Sequence, residues 1–226
     1  MLINKKYTYA PLEQVTFENG SRYYVSPENN HLSSVTTILS ATADKPELEA
    51  WKKRVGLTEA EKIRTEATNI GSLMHENLEK HILGEERPKG NNLIRVLSRN
   101  MANTIIDNGL KNVSEVWAIE QVLYIENKYA GTADGIGIIG NKPSIFDFKT
   151  TKKPKTKAQI EDYFCQLIAY ALAHNEVHGT DIKKGVIYMC SRDCYYQEFV
   201  LEGNEFDTYQ DIWLRRLDKF LNDNLK

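Results

Sequence analysis

The sequence has 226 residues, of which 41% are hydrophobic, 27% charged and 10% aromatic, a balance that suits one substantial core and excludes a disordered or fibrous chain. A net charge of −2 gives no global attraction to nucleic acid, so any such contact must come from a local basic patch. No run of 18 apolar residues exists, and the stretch from Met1 to Pro11 carries neither an apolar signal core nor an Arg-rich amphipathic pattern; a cytoplasmic protein that does not engage a membrane or an organelle is the expectation.

In chain order, the first element is a hairpin, Val15-Thr-Phe and Arg22-Tyr-Tyr-Val25, around the turn signal Asn19-Gly20. Residues 1–30 read as an accessory ribbon. Ser33 and Ser34 offer an N-cap to a short helix over Val35-Thr-Thr-Ile-Leu39, and helical patterning continues from Glu47 to Arg54 and from Glu59 to Leu83. A further amphipathic helix spans 93–107, so residues 31–110 form a helical region. From 115 the period changes to two, with strands over 115–121, Gly131–Ile139 and Ser144–Thr150. A strongly patterned helix follows over 158–174, then a strand pair, Val186–Met189 and Tyr195–Leu201, and a terminal helix from Glu205 to Leu221. This order predicts a single α/β domain over 1–226 in which 111–226 supply the sheet, a mixed sheet flanked by helices.

Chemistry concentrates in the paired strands around Gly140-Asn-Lys-Pro143. If Gly140 pairs with Pro143, Asp134 faces Lys149 across the ladder, and Asp147, two residues from Lys149, lies on the same face. Two carboxylates and an ammonium on rigid sheet suit phosphodiester hydrolysis: hard oxygens hold Mg²⁺ or Mn²⁺, and the lysine steadies the transition state. A plain cross-strand ion pair satisfies the same spacing.

Asp147-Phe-Lys149 and the strand Gly131-Thr-Ala-Asp134 resemble the signature of the PD-(D/E)xK nuclease superfamily, with Ala133 in place of its usual proline. Gln166-Leu-Ile-Ala-Tyr170 is similar to the QxxxY motif of the RecB-like branch, and His75 in Gly71-Ser-Leu-Met-His75 to that branch's upstream histidine. Over roughly residues 30–222 the likeness is nearest to the mitochondrial genome maintenance exonucleases and their phage and bacterial relatives, through Ser34-Val-Thr-Thr-Ile-Leu39, Trp51-Lys-Lys-Arg54, Asp147-Phe-Lys-Thr-Thr-Lys-Lys-Pro-Lys155 and Trp213-Leu-Arg-Arg-Leu217.

The resemblance implies a restriction-endonuclease-like α/β fold with a helical arch in the N-terminal half. It implies a deoxyribonuclease acting on ends of single-stranded DNA in repair, recombination or replication. By the same resemblance the catalytic set is Asp134, Asp147, Lys149, Gln166 and Tyr170, and the metal ligands are His75, Asp134, Asp147 and the Phe148 carbonyl. From the residues alone, His75 beside an apolar stripe would be structural, and Gln166 and Tyr170, one helical turn apart, could hold Lys149 or a phosphate, or simply pack. Glu120 reads as a solvent-facing strand residue, with an outer metal contact as its alternative.

Candidate DNA contacts are Lys152, Lys153 and Lys155, from a stretch with five lysines in nine residues, together with Lys52 and Arg54 beside Trp51. Ser33 and Thr36 could meet a phosphate at a helix N-terminus, or merely cap the helix. The three cysteines, Cys165, Cys190 and Cys194, read as reduced thiols and are too few for a four-cysteine iron–sulfur cluster. A monomer is expected. A structure-specific endonuclease and a non-catalytic DNA-binding module on the same fold remain as rival readings.

Overall fold

The computed structural model describes residues 1–17, 22–43 and 46–224. Its centre is a six-stranded mixed sheet in the order β1-β5-β6-β7-β8-β9, built from β1 (Leu2–Ile3), β5 (Val113–Ile125), β6 (Tyr129–Ile139), β7 (Lys142–Thr151), β8 (Lys184–Ser191) and β9 (Tyr196–Glu202). β5, β6 and β7 form an antiparallel meander. The helix α5 (Glu161–His178) then carries the chain across the sheet, so β8 runs parallel to β7.

Helices cover both faces. On one, α5 packs with α1 (Val35–Thr42) and α6 (Asn204–Asn224), burying Phe164, Ile168 and Trp213 against Ile145, Ile187 and Phe199. On the other, α3 (Leu57–Leu83) and α4 (Leu93–Asn108) bury Ile70, Met74, Leu78, Met101 and Ile105 against Phe146, Phe148 and Tyr188. Burial from both sides is why β7 and β8 read as nearly continuous apolar runs, where a strand with one wet face would alternate. α5 lies between the sheet and α6, and its apolar residues accordingly extend all round it. The remaining helix, α2 (Pro46–Val55), packs on the first half of α3, whose residues 57–69 are mostly exposed. Among the described residues no helix is long and apolar enough to cross a membrane.

The expected mixed α/β architecture is present, and three details differ from the sequence reading. The N-terminal hairpin, β2 (Glu13–Thr16) with β3 (Arg22–Val25), gains a third strand, β4 (His31–Ser33), so the region from 31 opens with strand before helix. The Asn19-Gly20 turn lies outside the described residues. β1 joins the main sheet as an edge strand parallel to β5. Finally, β6 and β7 are joined by a two-residue turn at Gly140-Asn141, both with φ near +60°, one position earlier than the Asn141-Lys142 turn implied by pairing Gly140 with Pro143. Ile139 therefore pairs with Lys142, and every cross-strand partner moves by two residues.

Candidate active site

The two-residue shift changes who faces whom while leaving the face unchanged, because side chains alternate with a period of two. Asp134 comes into register with Asp147, where a turn one position later would have set it opposite Lys149. The ladder between β6 and β7 runs from Ile139–Lys142 to Gly135–Phe146 and ends one step short of that pair. On the other side of β6, pairing passes from Ile119–Gly135 to Gln121–Ala133 and skips Glu120 and Asp134. Glu120 has φ of 47°, a left-handed conformation that a strand residue with a side chain adopts only under constraint.

Three acids thus occupy one row across three neighbouring strands: Glu120, Asp134 and Asp147. Like charges in cross-strand register repel, so the row needs compensating cations. Two are at hand. Lys149 makes an ion pair with Asp147, and His75 from α3 places Nδ1 at 3.6 Å from Asp134 Oδ2 and 3.7 Å from Glu120 Oε1.

Backbone groups freed where the ladder ends complete the arrangement. The Phe148 N–H donates to Asp134 Oδ2 at 2.7 Å, and the Phe148 carbonyl lies 2.8 Å from His75 Nε2. A carbonyl only accepts, so Nε2 carries the proton there. With Nδ1 turned to two carboxylates, the imidazolium is the favoured form. Burial pulls the His75 pKa down, yet Asp134, Glu120 and Asp147 outweigh it and raise it to about 9.

Asp147 is 1% exposed, and neither carboxylate oxygen has a hydrogen-bond donor besides its ion pair with Lys149. Burial first, and the charge of Asp134 second, push its pKa above the usual carboxylate range. Lys149 is pulled down by burial, but Asp147 and Asp134 prevail and keep the ammonium charged.

These groups open into a cavity of about 430 Å³ whose wall includes His75, Glu120, Asp134 and Lys149. Tyr24, Ser34, Thr36, Thr132, Tyr163, Gln166 and Tyr170 also line it. Tyr170 is buried and accepts from Gln166 Nε2 at 2.9 Å, so this pair forms one wall and makes no bond to Lys149. Tyr163, one turn earlier on α5, lies beneath the lysine. The small sheet is bolted on beside them: Tyr24 and Leu32 bury against Ala130, and the Tyr24 hydroxyl lies 3.1 Å from Thr132 Oγ1.

The arrangement fits a divalent cation. His75, Glu120 and Asp134 offer ligand atoms within 4.8 Å of one another, and the Phe148 carbonyl and the donor-poor Asp147 carboxylate adjoin them. An oxygen-rich set with one imidazole suits Mg²⁺ or Mn²⁺. Glu120, which the sequence reads as solvent-facing with an outer metal contact as its alternative, is exposed and also lies 3.7 Å from His75 Nδ1, at the rim of the cluster.

Other expected contacts lie elsewhere. Ser33 ends β4, while Ser34 caps α1, accepting from the Thr37 N–H at 3.1 Å; Thr36 reaches the cavity. Lys52, Arg54, Lys152, Lys153 and Lys155 do not line it. The lysine loop is tied to β9, since Gln197 bonds both the N–H and the carbonyl of Lys155.

No family model matches the chain. Mitochondrial genome maintenance exonuclease 1 of Homo sapiens is 28% identical over 207 residues, covering 85% of this chain and 59% of that protein. The Mus musculus protein of the same name is 27% identical over 212 residues, 85% of this chain and 60% of its own length. The chain thus spans about three fifths of these relatives. The crystal structure of a candidate exonuclease from Eubacterium rectale superposes with a TM-score of 0.51 over 71% of this chain and 66% of that one, at 12% identity, a likeness of fold alone. By sequence the chain is similar to mitochondrial genome maintenance exonuclease 1 along 85% of its length, and its mixed sheet flanked by helices is similar in fold to the Eubacterium rectale structure.

Proposed function

We propose that the protein is a divalent-cation-dependent DNA exonuclease that hydrolyses phosphodiester bonds at the ends of single strands. The observation that carries this reading is the row of three carboxylates on adjacent strands, balanced by one imidazolium and one ammonium. Asp134 and Asp147 are buried, and two buried carboxylates side by side are costly as mere structure and useful as a cation site. The cation would be held by Asp134, Asp147, Glu120, the Phe148 carbonyl and His75, the imidazolium giving up its Nδ1 proton to ligate. When bound, Mg²⁺ or Mn²⁺ supplies charge neutralisation at the phosphate and a more acidic attacking water.

The chain's own groups do the rest. Lys149 presents a fixed positive charge at the cavity wall, where negative charge grows on the phosphoryl oxygens. Phe148 N–H holds the Asp134 carboxylate in one orientation. Tyr24 and Tyr170 are buried in the cavity wall and Tyr163 lies beneath Lys149, so the three rings shape the cavity that the strand end would enter. Lys52, Arg54, Lys152, Lys153 and Lys155 would act outside it, on the flanking backbone. The likeness to genome maintenance exonucleases supports DNA as substrate, and repair, recombination or replication would be its setting.

End-labelled single- and double-stranded DNA, with Mg²⁺, with Mn²⁺ and with chelator, tests the proposal. Metal-dependent shortening of the linear single strand is expected, with Asp147→Asn and Lys149→Met each reducing it by about a thousandfold or more while the fold is kept. Full cleavage by Asp147→Asn would overturn the assignment, and cutting of a circular single strand would replace exonuclease by endonuclease.

A further inference from the structure

Lys149 is held from two directions. Its ammonium pairs with the Asp147 carboxylate, and it lies 5.0 Å from the centroid of the Tyr163 ring. The two partners are not equivalent once a divalent cation is present. A carboxylate that ligates an ion has less negative charge left for an ammonium, whereas a phenol ring attracts the ammonium through its quadrupole and is a poor ligand for a hard ion.

We propose that Tyr163 is a positioning residue: its ring gives the Lys149 ammonium a seat independent of Asp147, which leaves that carboxylate free to take the cation. The inference rests on the proposed function. Without the ring, lysine and ion compete for the one carboxylate; with it, both positive charges have a place in the same cavity. The location on α5 is suited to this. Tyr163 is three residues before Gln166, on the part of the helix that walls the site, and it also borders a second cavity of about 430 Å³ beside Thr42 and Arg216. Shortening its side chain therefore extends a space that already exists, and a leucine there should not prevent folding.

The test is a Mn²⁺ titration by calorimetry on the wild type, Tyr163→Leu, Tyr163→Phe, Lys149→Met and the double variant Tyr163→Leu/Lys149→Met, alongside kcat and KM on a single-stranded oligonucleotide. Tyr163→Leu should weaken Mn²⁺ binding by roughly 3- to 30-fold, the range of a partly buried cation–π contact. Tyr163→Phe, which keeps the ring, should stay within about twofold of the wild type. In the Lys149→Met background the leucine should have no effect, because the competing ammonium is gone. In the Lys149 background, kcat should fall with KM little changed.

Equal weakening in both backgrounds would show a general packing effect and overturn the inference, as would a Tyr163→Phe as impaired as the leucine. A Tyr163→Leu that binds Mn²⁺ like the wild type would do the same. A wild type that binds Mn²⁺ with this coupling but cleaves no DNA would sink the nuclease reading and keep the inference; one that binds no Mn²⁺ would sink both.

Discussion

Glu120 holds a backbone conformation that a glycine would adopt without penalty. Its φ of 47° costs about 1–2 kcal/mol for a residue with a side chain, and it is directed at two other acidic or basic groups of the cavity, His75 and Asp134. Strain and carboxylate repulsion are both removed by Glu120→Gly, partly offset by the extra freedom glycine has when unfolded. The variant should gain about 1 kcal/mol of stability without metal while binding Mn²⁺ less tightly. Denaturant midpoints and calorimetry check this, and a lower midpoint in chelator would refute the strain. A neighbouring position tolerates nothing larger than glycine: a Cβ on Gly137 would come within 2.0 Å of the Glu115 carbonyl oxygen, at the irregular stretch of β5.

Among the elements, what was legible in the sequence followed from period, and what was not followed from local breaks in it. Alternation put Asp134, Asp147 and Lys149 on one face correctly even though the turn was misjudged, since a shift of two residues preserves parity. Partner identity was lost because the two residues in left-handed conformation at the turn are Gly140 and Asn141, one position earlier than pairing Gly140 with Pro143 implies. β4 has three residues, too few for any periodic signal, and Glu120 lies where periodicity fails. Lysine density marked a loop but not the Gln197 bonds that hold it against β9.

The N-terminal segment shows how an unpatterned stretch is fixed to a helix. Tyr9 shares a hydrogen bond of 3.1 Å with His174 Nε2, and His174 Nδ1 lies 2.8 Å from Thr180 Oγ1. The Thr180 hydroxyl donates to Asn175, so Nδ1 carries the ring proton and Nε2 accepts from Tyr9. Burial, then His178 and Lys6, lower the His174 pKa to about 4. A depressed folded pKa means that the unfolded chain takes up the proton first. The contribution of His174 is therefore full above pH 6.5, declines as pH falls and is gone below about 4. Thermal melts in chelator should show a fall across that window that is flattened in His174→Gln; an unchanged slope would remove His174 as its source.

For the whole molecule, the balance of charge in the cavity ties folding to its cation. Binding to the folded state alone stabilises by about 2.7 kcal/mol at a hundredfold excess over Kd, or a rise in Tm of about 5–10 °C for a chain of this size. Differential scanning calorimetry with and without Mn²⁺ measures the shift, which should vanish in Asp147→Asn; an equal shift in that variant would place the binding elsewhere.

The acid row comes from a short length of chain. Glu120, Asp134 and Asp147 lie on three consecutive strands joined by tight turns, whereas His75 reaches the Phe148 carbonyl from 73 residues away in sequence. Contacts local in sequence close sooner than distant ones. During folding the meander therefore brings its negative charges together before the helix that brings the imidazole has docked. Lys149 arrives with the meander and balances one of the three charges; dissolved divalent ions can balance the rest, so the cation proposed for turnover would also ease the last step of assembly.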